Sequence, residues 1–176
     1  MALVTETGTG AAASESYISL AAATTYHADR GNSAWAALAS DTIREQCLRK
    51  ATDYMVGAFR SRWKGVRLNA VQSLDWPRFG VYLEPVLNGA SSEYPQLVAS
   101  NIVPVEIQRA CAELALKSST GDLLADLTQQ AIRKKVASIE IEYDKYSPKS
   151  TRYPAIEAML SPYFNSNSSI NHELIR

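Results

Sequence analysis

The sequence contains few of the residues and motifs from which active sites are built. Its histidines number two, His27 and His172, and no HExxH motif, glycine-rich phosphate loop or nucleophile elbow occurs. A metal site or a catalytic triad needs clustered imidazole, thiolate or carboxylate groups. The sequence therefore predicts a protein that is not an enzyme, with no metal and no cofactor. We interpret His27 as a surface residue.

The chain also lacks net charge and long apolar runs. Lysine and arginine together number 18, as do aspartate and glutamate, so nothing attracts the whole chain to nucleic acid or to acidic membranes. No apolar run approaches the roughly 20 residues of a membrane span, and the N-terminus has no signal-peptide pattern. The two cysteines, Cys47 and Cys111, are interpreted as buried reduced thiols rather than as a disulfide or metal pair. An intracellular protein with no membrane partner is expected.

Helical periodicity dominates the first third of the chain. Ser19 is placed to cap a first helix that Gly31 closes, and a short helical piece follows from about Asn32. The longest helix is predicted from about Asp41 to about Arg62, because apolar residues recur every four positions between them. The sequence therefore predicts a mainly α fold, a helical bundle.

Further elements follow in the second half of the chain. Pro104 and Pro154 each predict the first residue of a helix, where the missing N–H of proline has no cost, and residues 121–130 are expected to add a short helix. From Ile139 to Tyr143, apolar and acidic residues alternate with period two, which is typical of a strand with one buried face. Residues 132–136 are predicted to pair with this strand in a β-hairpin, the β element of about 132–144.

Three segments show neither helical nor strand periodicity in their apolar residues. Residues 1–16 are predicted to form a flexible N-terminal arm, and residues 165–176 a flexible C-terminal tail. A long loop over about 65–101 interrupts the domain of residues 17–164, and the role of its part 84–101 is open. The predicted fold is thus a helical bundle with a small β-hairpin and extended, flexible termini.

Basic and aromatic residues interleave in RSRWKGVR, where Arg60, Arg62, Lys64 and Arg67 surround Trp63. Such a cluster can grip phosphates and stack on bases. The alternative is structural, with cations at a helix C-terminus and Trp63 in the core, and we favour it. A second basic run, residues 133–135, either faces DNA or forms a solvated edge that discourages aggregation.

The segment LDWPRFGVY, Leu74–Tyr82, brings aromatic residues into the long loop. Pro77 is expected to hold Trp76 in an extended conformation. In one interpretation Trp76 and Phe79 anchor the loop to the helices. In the other, Arg78 and its aromatic neighbours fill a pocket of an adjacent subunit, and the two interpretations are compatible. The open edge of the hairpin also invites a neighbouring strand.

Several local patterns, taken in order, resemble one family. They are ESYISLAAATTYHADRG, WAALASD, ATDYMVGAFRSRWKGVR, LDWPRFGVY, IVPVEIQRACAELALK, KKVASIEIEY and YPAIEAML. This series is similar to the head–tail adaptor (connector, or head-completion) proteins of tailed bacteriophages. Some members of that family carry the label DnaT-like single-stranded DNA-binding protein.

The resemblance implies a structural protein of the virion, located at the capsid vertex or neck and in the host cytoplasm during assembly. Such proteins form a ring, commonly of twelve copies, beneath the portal protein. The ring extends the channel for double-stranded DNA and docks the next neck or tail-completion protein. The alternative function is that of a single-stranded DNA-binding accessory protein.

Candidate site residues follow from these interpretations. The portal-binding candidates lie in the C-terminal segment that the resemblance assigns to the portal: Tyr153, Pro162, Tyr163, Phe164, His172, Leu174, Ile175 and Arg176. The candidates for a subunit interface are Trp76, Arg78, Phe79, Ile139, Ile141 and Tyr143. The DNA-facing candidates are Arg60, Arg62, Lys64, Arg67, Arg133, Lys134 and Lys135.

Overall fold

The computed structural model of the protein describes residues 2–83, 97–125, 131–135, 140–143 and 151–165. Within these ranges the chain is mainly α-helical with two small antiparallel sheets, which confirms the predicted fold class. The helices are α1 (Leu20–Asp29), α2 (Ser33–Ala36), α3 (Asp41–Phe59), α4 (Val105–Ser118) and α5 (Pro154–Leu160), with a 3₁₀ turn at Ser161–Tyr163. The strands are β1 (Val66–Arg67), β2 (Arg78–Phe79), β3 (Ala131–Lys135) and β4 (Glu140–Tyr143).

Side-chain caps begin the first helix, as the sequence predicts, and also the longest helix. The hydroxyl of Ser19 accepts a hydrogen bond from the amide of Ala22 (3.2 Å), and Ser40 accepts one from Ile43 (3.3 Å). Each satisfies one of the free amides in a first helical turn. The longest helix ends at Phe59, three residues earlier than the periodicity predicts.

The core lies mainly between α3 and α4. Leu48 and Met55 of α3 and Ile107 and Leu114 of α4 are all fully buried, and their spacing places them on one face of each helix. Ile43, predicted on this buried stripe, is exposed because it stands in the first turn of α3. None of the helices among the described residues is both long and apolar enough to cross a membrane.

Proline positions the two later helices. Pro104 is the cap residue directly before α4, so this helix begins one residue later than predicted. Pro154 is the first residue of α5, as predicted. Pro162 lies in the 3₁₀ turn that follows α5. Residues 121–125 form a turn instead of the predicted helix, and the rest of that prediction lies outside the described residues.

Both sheets have two strands. In the first, β1 pairs with β2 so that Val66 is opposite Phe79. In the second, β3 pairs with β4, which confirms the predicted hairpin partners. The predicted turn at residues 137 and 138 lies outside the described residues, and the pairing of the hairpin with another chain stays a prediction.

The N-terminal arm (residues 2–16) has a defined place in the structure, whereas the sequence suggested a flexible segment. Glu6 is 3% exposed, and its carboxylate accepts hydrogen bonds from the backbone amides of residues 8–11 and from the hydroxyl of Ser14. Burial alone raises the pKa of this carboxyl, but the hydrogen bonds from Ser14 and the loop amides outweigh burial and lower the pKa. The loop is thus folded around its own buried anion.

The arm is also bonded to the loop that follows β1. The side-chain amide of Asn69 donates to the carbonyl of Gly10 (3.0 Å), and the hydroxyl of Ser73 donates to the carbonyl of Ser14 (2.6 Å). Because these partners are about 60 residues apart in sequence, they belong to the tertiary fold. Local residue preferences therefore gave no sign of them.

His27 is a core residue, which corrects its interpretation as a surface histidine. Its Nε2 lies 3.1 Å from the carbonyl oxygen of Ala112 on α4, and its Nδ1 lies 3.0 Å from the side-chain nitrogen of Asn32. Since that nitrogen donates, Nδ1 accepts and Nε2–H donates to Ala112. Burial lowers the pKa of His27. The neutral ring therefore ties α1 to α4.

Candidate functional site

The basic cluster that follows α3 surrounds a buried indole. The ring of Trp63 packs edge-on against Trp76 and Phe59, with 5.8 and 5.9 Å between ring centroids. Phe164 pairs with Trp63 in an isolated antiparallel bridge, and their rings are 4.9 Å apart. An indole in this position is not available for stacking on a base while the fold is intact. The structural interpretation of Trp63 as part of the core is therefore correct.

Two arginines of the cluster pair with carboxylates of the same chain. Nε of Arg60 lies 3.0 Å from Oδ1 of Asp75, whose side chain is fully buried. Nη2 of Arg62 lies 3.5 Å from Oε2 of Glu157, and its guanidinium is 4.2 Å from the centre of the Phe164 ring. These contacts join the end of α3 to the loop before β2 and to α5.

The two other cations of the cluster bind carbonyl oxygens. Nζ of Lys64 donates to the carbonyls of Pro162 (2.7 Å) and Tyr82 (3.3 Å). Nη2 of Arg67 donates to the carbonyl of Gln72. A carbonyl carries no net charge, so these hydrogen bonds fix both side chains without neutralising them. The surface beside β1 consequently keeps a positive character.

The segment Leu74–Tyr82 anchors its loop to the core, as one of the two interpretations predicted. Trp76 is 0% exposed, so its indole lies inside the core. The peptide bond between Trp76 and Pro77 is cis. The amide of Asp75 donates to the hydroxyl of Tyr17 (3.0 Å), and burial raises the pKa of that tyrosine. The loop is thereby connected to the residues that precede α1.

Arg78 is an internal residue, which corrects its placement in a pocket of an adjacent subunit. It is 7% exposed and donates to the carbonyls of Lys64 (2.7 Å), Gly65 (2.7 Å) and Asp75 (3.2 Å). Burial lowers its pKa. Trp76 and Arg78 are both inside the monomer and are therefore removed from the predicted subunit interface. The physical reason is that their packing partners come from their own chain.

Apolar side chains nevertheless remain exposed on the same loop, in two opposed pairs. Phe79 is 64% exposed and stands opposite Val66, which is 62% exposed. Tyr82 and Leu97, which form an isolated antiparallel bridge, are also exposed. Directly opposite residues lie within about 5.5 Å of each other. Each pair is therefore a continuous apolar patch.

The portal-binding candidates divide between buried and exposed positions. Tyr163 and Phe164 are buried, and the Tyr163 hydroxyl donates to Glu106 of α4 (2.6 Å). Pro162 is exposed, and Tyr153 is half-buried against Tyr54, with 5.4 Å between ring centroids. Tyr163 and Phe164 pack inside their own chain, which corrects their assignment as portal-binding residues. Contact of Pro162 and Tyr153 with a portal stays a prediction. The remaining candidates, His172, Leu174, Ile175 and Arg176, lie outside the described residues.

The hairpin candidates are described by their position in the ladder. Arg133, Lys134 and Lys135 belong to β3, and Ile141 and Tyr143 belong to β4. Ile139 lies outside the described residues. The roles of these residues in contacting DNA or a neighbouring subunit stay predictions. The register pairs Arg133 with Glu142, Lys134 with Ile141 and Lys135 with Glu140.

Comparison with known proteins gives one match. A family model described as "Putative DnaT-like ssDNA binding protein" matches residues 1–176. The chain belongs to this family. No curated protein and no solved structure matches the chain significantly.

For this member of the DnaT-like family, the match covers the whole chain, and its description does not mention a head–tail adaptor.

Sequence reasoning missed two internal groups, Glu6 and His27. Two glycines after Glu6, Gly8 and Gly10, are the one signal that pointed to the first, because a loop that wraps an anion needs residues with positive φ. Within the described ranges, no three His, Cys, Asp or Glu residues are grouped to hold a metal ion.

Proposed function

We propose that the protein is a structural, non-enzymatic head–tail adaptor of a tailed phage, which forms a ring beneath the portal. The observation that supports the proposal is how the loop after α3 uses its side chains. Its two indoles and its five cations bind within the monomer, while Val66, Phe79 and Tyr82 are left exposed. Exposed apolar patches of this kind are typical of protein–protein contact. The ordered motifs from ESYISL to YPAIEAML add the resemblance to adaptor proteins.

This proposal includes the location and the partners of the protein. The ring would stand at the capsid vertex of the virion, between the portal and the next neck or tail-completion protein, with double-stranded DNA passing through it. A chain of balanced charge suits such a channel, because a strongly basic wall would hold the phosphates. Its copies would assemble in the host cytoplasm.

Portal capture tests the adaptor function. We expect the full-length protein, mixed with the purified portal protein of its phage, to give a ring on the portal in negative-stain images and in native mass spectra. A variant that ends at Asn165 keeps every described contact and is expected to lose the portal while its melting temperature is unchanged. Absence of any association of the full chain, with or without portal, would contradict the proposal.

Single-stranded DNA binding is the second candidate, and the family description supports it more directly than it supports the first. The cluster near Trp63 is less suited to this role, because its four cations bind groups of their own chain. The basic run of β3 is then the candidate surface. Adjacent cations on a strand can contact a phosphate backbone. The proposal then places DNA on β3 and not on the RSRWKGVR cluster.

An anisotropy titration with a labelled single-stranded oligonucleotide tests this second candidate. It predicts binding at low salt that weakens as salt rises, with a logarithmic slope of about −0.7 for each phosphate neutralised. Replacing Arg133, Lys134 and Lys135 together by alanine is expected to lower the affinity about tenfold or more. Arg152→Ala, at an exposed arginine on the edge of α5, is the matched control and should bind as the unmodified chain does. No binding at low salt removes the candidate.

A further inference from the structure

A groove of about 890 Å³ opens between the N-terminal arm, residues 97–105 and the first turn of α4. Three exposed apolar residues line it: Leu97, Ile102 and Val105. Single exposed apolar residues are common on protein surfaces, but these three lie together in the wall of one groove. An apolar concave surface of this size is typical of a binding site.

Three polar side chains that line the groove, those of Glu6, Glu106 and Gln108, already have partners within the chain. Glu106 accepts the hydroxyl proton of Tyr163 at 2.6 Å, and Gln108 donates to the carbonyl of Val103 at 2.9 Å. Glu6 is held by the amides of its own loop. A polar ligand would have to displace these hydrogen bonds, whereas an apolar side chain would leave them intact. The groove therefore fits an apolar protein segment.

The charge of the groove excludes a nucleic acid as its occupant. Among the described residues that line it, Glu6 and Glu106 are the charged ones, and neither lysine nor arginine is present. Phosphates would meet the part-buried carboxylate of Glu106 and no cation, and the buried charge of Glu6 adds to the negative potential. Like charges at short distance repel. The occupant is expected to be neutral or basic around its apolar centre.

The exposed pair Val66 and Phe79, here called the knob, has this character. It projects from β1 and β2 beside Lys64 and Arg67, two part-buried cations whose hydrogen bonds described above go to uncharged carbonyl oxygens. Neither knob residue lines the groove of its own chain. The molecule thus carries an apolar knob in a basic surround and an apolar groove with an acidic lining.

We propose that the knob of one copy inserts into the groove of a neighbouring copy. This inference rests on the proposed adaptor function, for which it names the contact between subunits. Because knob and groove are different surfaces, the contact is heterologous, and repetition of it closes into a ring or continues as a filament. The basic surround of the knob and the acidic lining of the groove fix the orientation of each subunit relative to the next.

Two charge substitutions at exposed positions, one on each surface, test the contact. Phe79→Asp disables the knob and leaves the groove intact, and Ile102→Asp does the reverse. Each variant alone is expected to sediment as a monomer at concentrations where the unmodified protein assembles. An equimolar mixture still contains one intact knob and one intact groove. It is therefore expected to form pairs and to stop at two chains, which analytical ultracentrifugation and native mass spectrometry both resolve.

Leu124→Asp supplies the matched control, because Leu124 is an exposed leucine that belongs to neither surface. It should assemble as the unmodified protein does, and unchanged circular dichroism and melting curves verify that all three variants fold. Assembly of Phe79→Asp or Ile102→Asp alone at the unmodified level would overturn the inference, as would a mixture that stays monomeric. If that happens while the unmodified chain still forms rings on the portal, the adaptor function stands and only the contact is wrong. An unmodified chain that never associates overturns both.

Discussion

Trp76→Ala is expected to lower the free energy of unfolding by about 3–5 kcal/mol, the range for truncating a fully buried large aromatic residue. Trp76 packs against Trp63 and Tyr163, with ring centroids 5.8 and 5.5 Å away. The cavity left by the indole would face both of these rings. It would loosen the loop that carries β2 and the turn that follows α5 at the same time. Chemical denaturation followed by tryptophan-independent circular dichroism measures the change.

Phe79→Ala is the matched control for this substitution. Phe79 is an aromatic residue three positions later in the same loop, but its ring is exposed. A surface truncation of this kind changes stability by no more than about 0.5 kcal/mol. Equal destabilisation by the two substitutions would contradict the assignment of Trp76, rather than the whole loop, as the anchor. The same Phe79→Ala protein should be weakened in self-association if the knob is an interface.

Glu6→Ala is expected to lower the free energy of unfolding by about 2–4 kcal/mol, since loss of the carboxylate leaves several buried amides without an acceptor. The amides of residues 8–11 all bind this one carboxylate, at 2.8 to 3.0 Å. The substitution should release the arm from the loop after β1. Faster hydrogen exchange at these amides, measured by mass spectrometry, would report the release. Protection equal to that of the unmodified protein would contradict it.

The pH dependence of stability distinguishes the contribution of the negative charge of Glu6 from the contribution of a neutral side chain of the same shape. The folded-state pKa of this carboxyl is lowered from its ordinary value of 4.5. Its stabilising contribution is therefore complete above pH 4.5 and is lost as the pH falls through the lower, folded-state pKa. Glu6→Gln keeps one acceptor and removes this titration.

The comparison of these two proteins isolates Glu6 from the other acids. Glu15 and Glu157 also have a lowered pKa, owing first to hydrogen bonds from Arg49 and Arg152, but both are present in either protein. The difference in melting temperature between the unmodified protein and Glu6→Gln should accordingly shrink below pH 4.5. A difference that is constant with pH would show that the ionised form of Glu6 adds nothing.

Local signals in the sequence were sufficient to locate the starts of α1, α3 and α5 and the strands of the hairpin. Ser19 and Ser40 precede their helices as side-chain caps, and Pro154 begins the last one. Alternation between isoleucine and glutamate before Tyr143 gave the second hairpin strand. Each of these features depends on residues within a few positions of one another, so period and capping preferences contain the necessary information.

The candidate site could not be predicted in the same way, because its contacts are distant in sequence. The sequence around Arg78 shows a cation between aromatic residues, but it does not show that the carbonyls of Lys64 and Gly65 accept hydrogen bonds from it. Burial of a charge is decided by such partners and not by its neighbours in the chain. The helix predicted at residues 121–130 was wrong over residues 121–125, because helical periodicity is a weak signal in so short a segment.

Cys47 and Cys111 are the two native thiols, and both are buried within the folded chain. Burial raises the pKa of Cys111, which keeps it in the unreactive protonated form. A cysteine introduced at an exposed position would consequently be the one that maleimides or bifunctional crosslinkers modify under native conditions. The molecule is ready for labelling at a chosen site without prior removal of its own sulfhydryls.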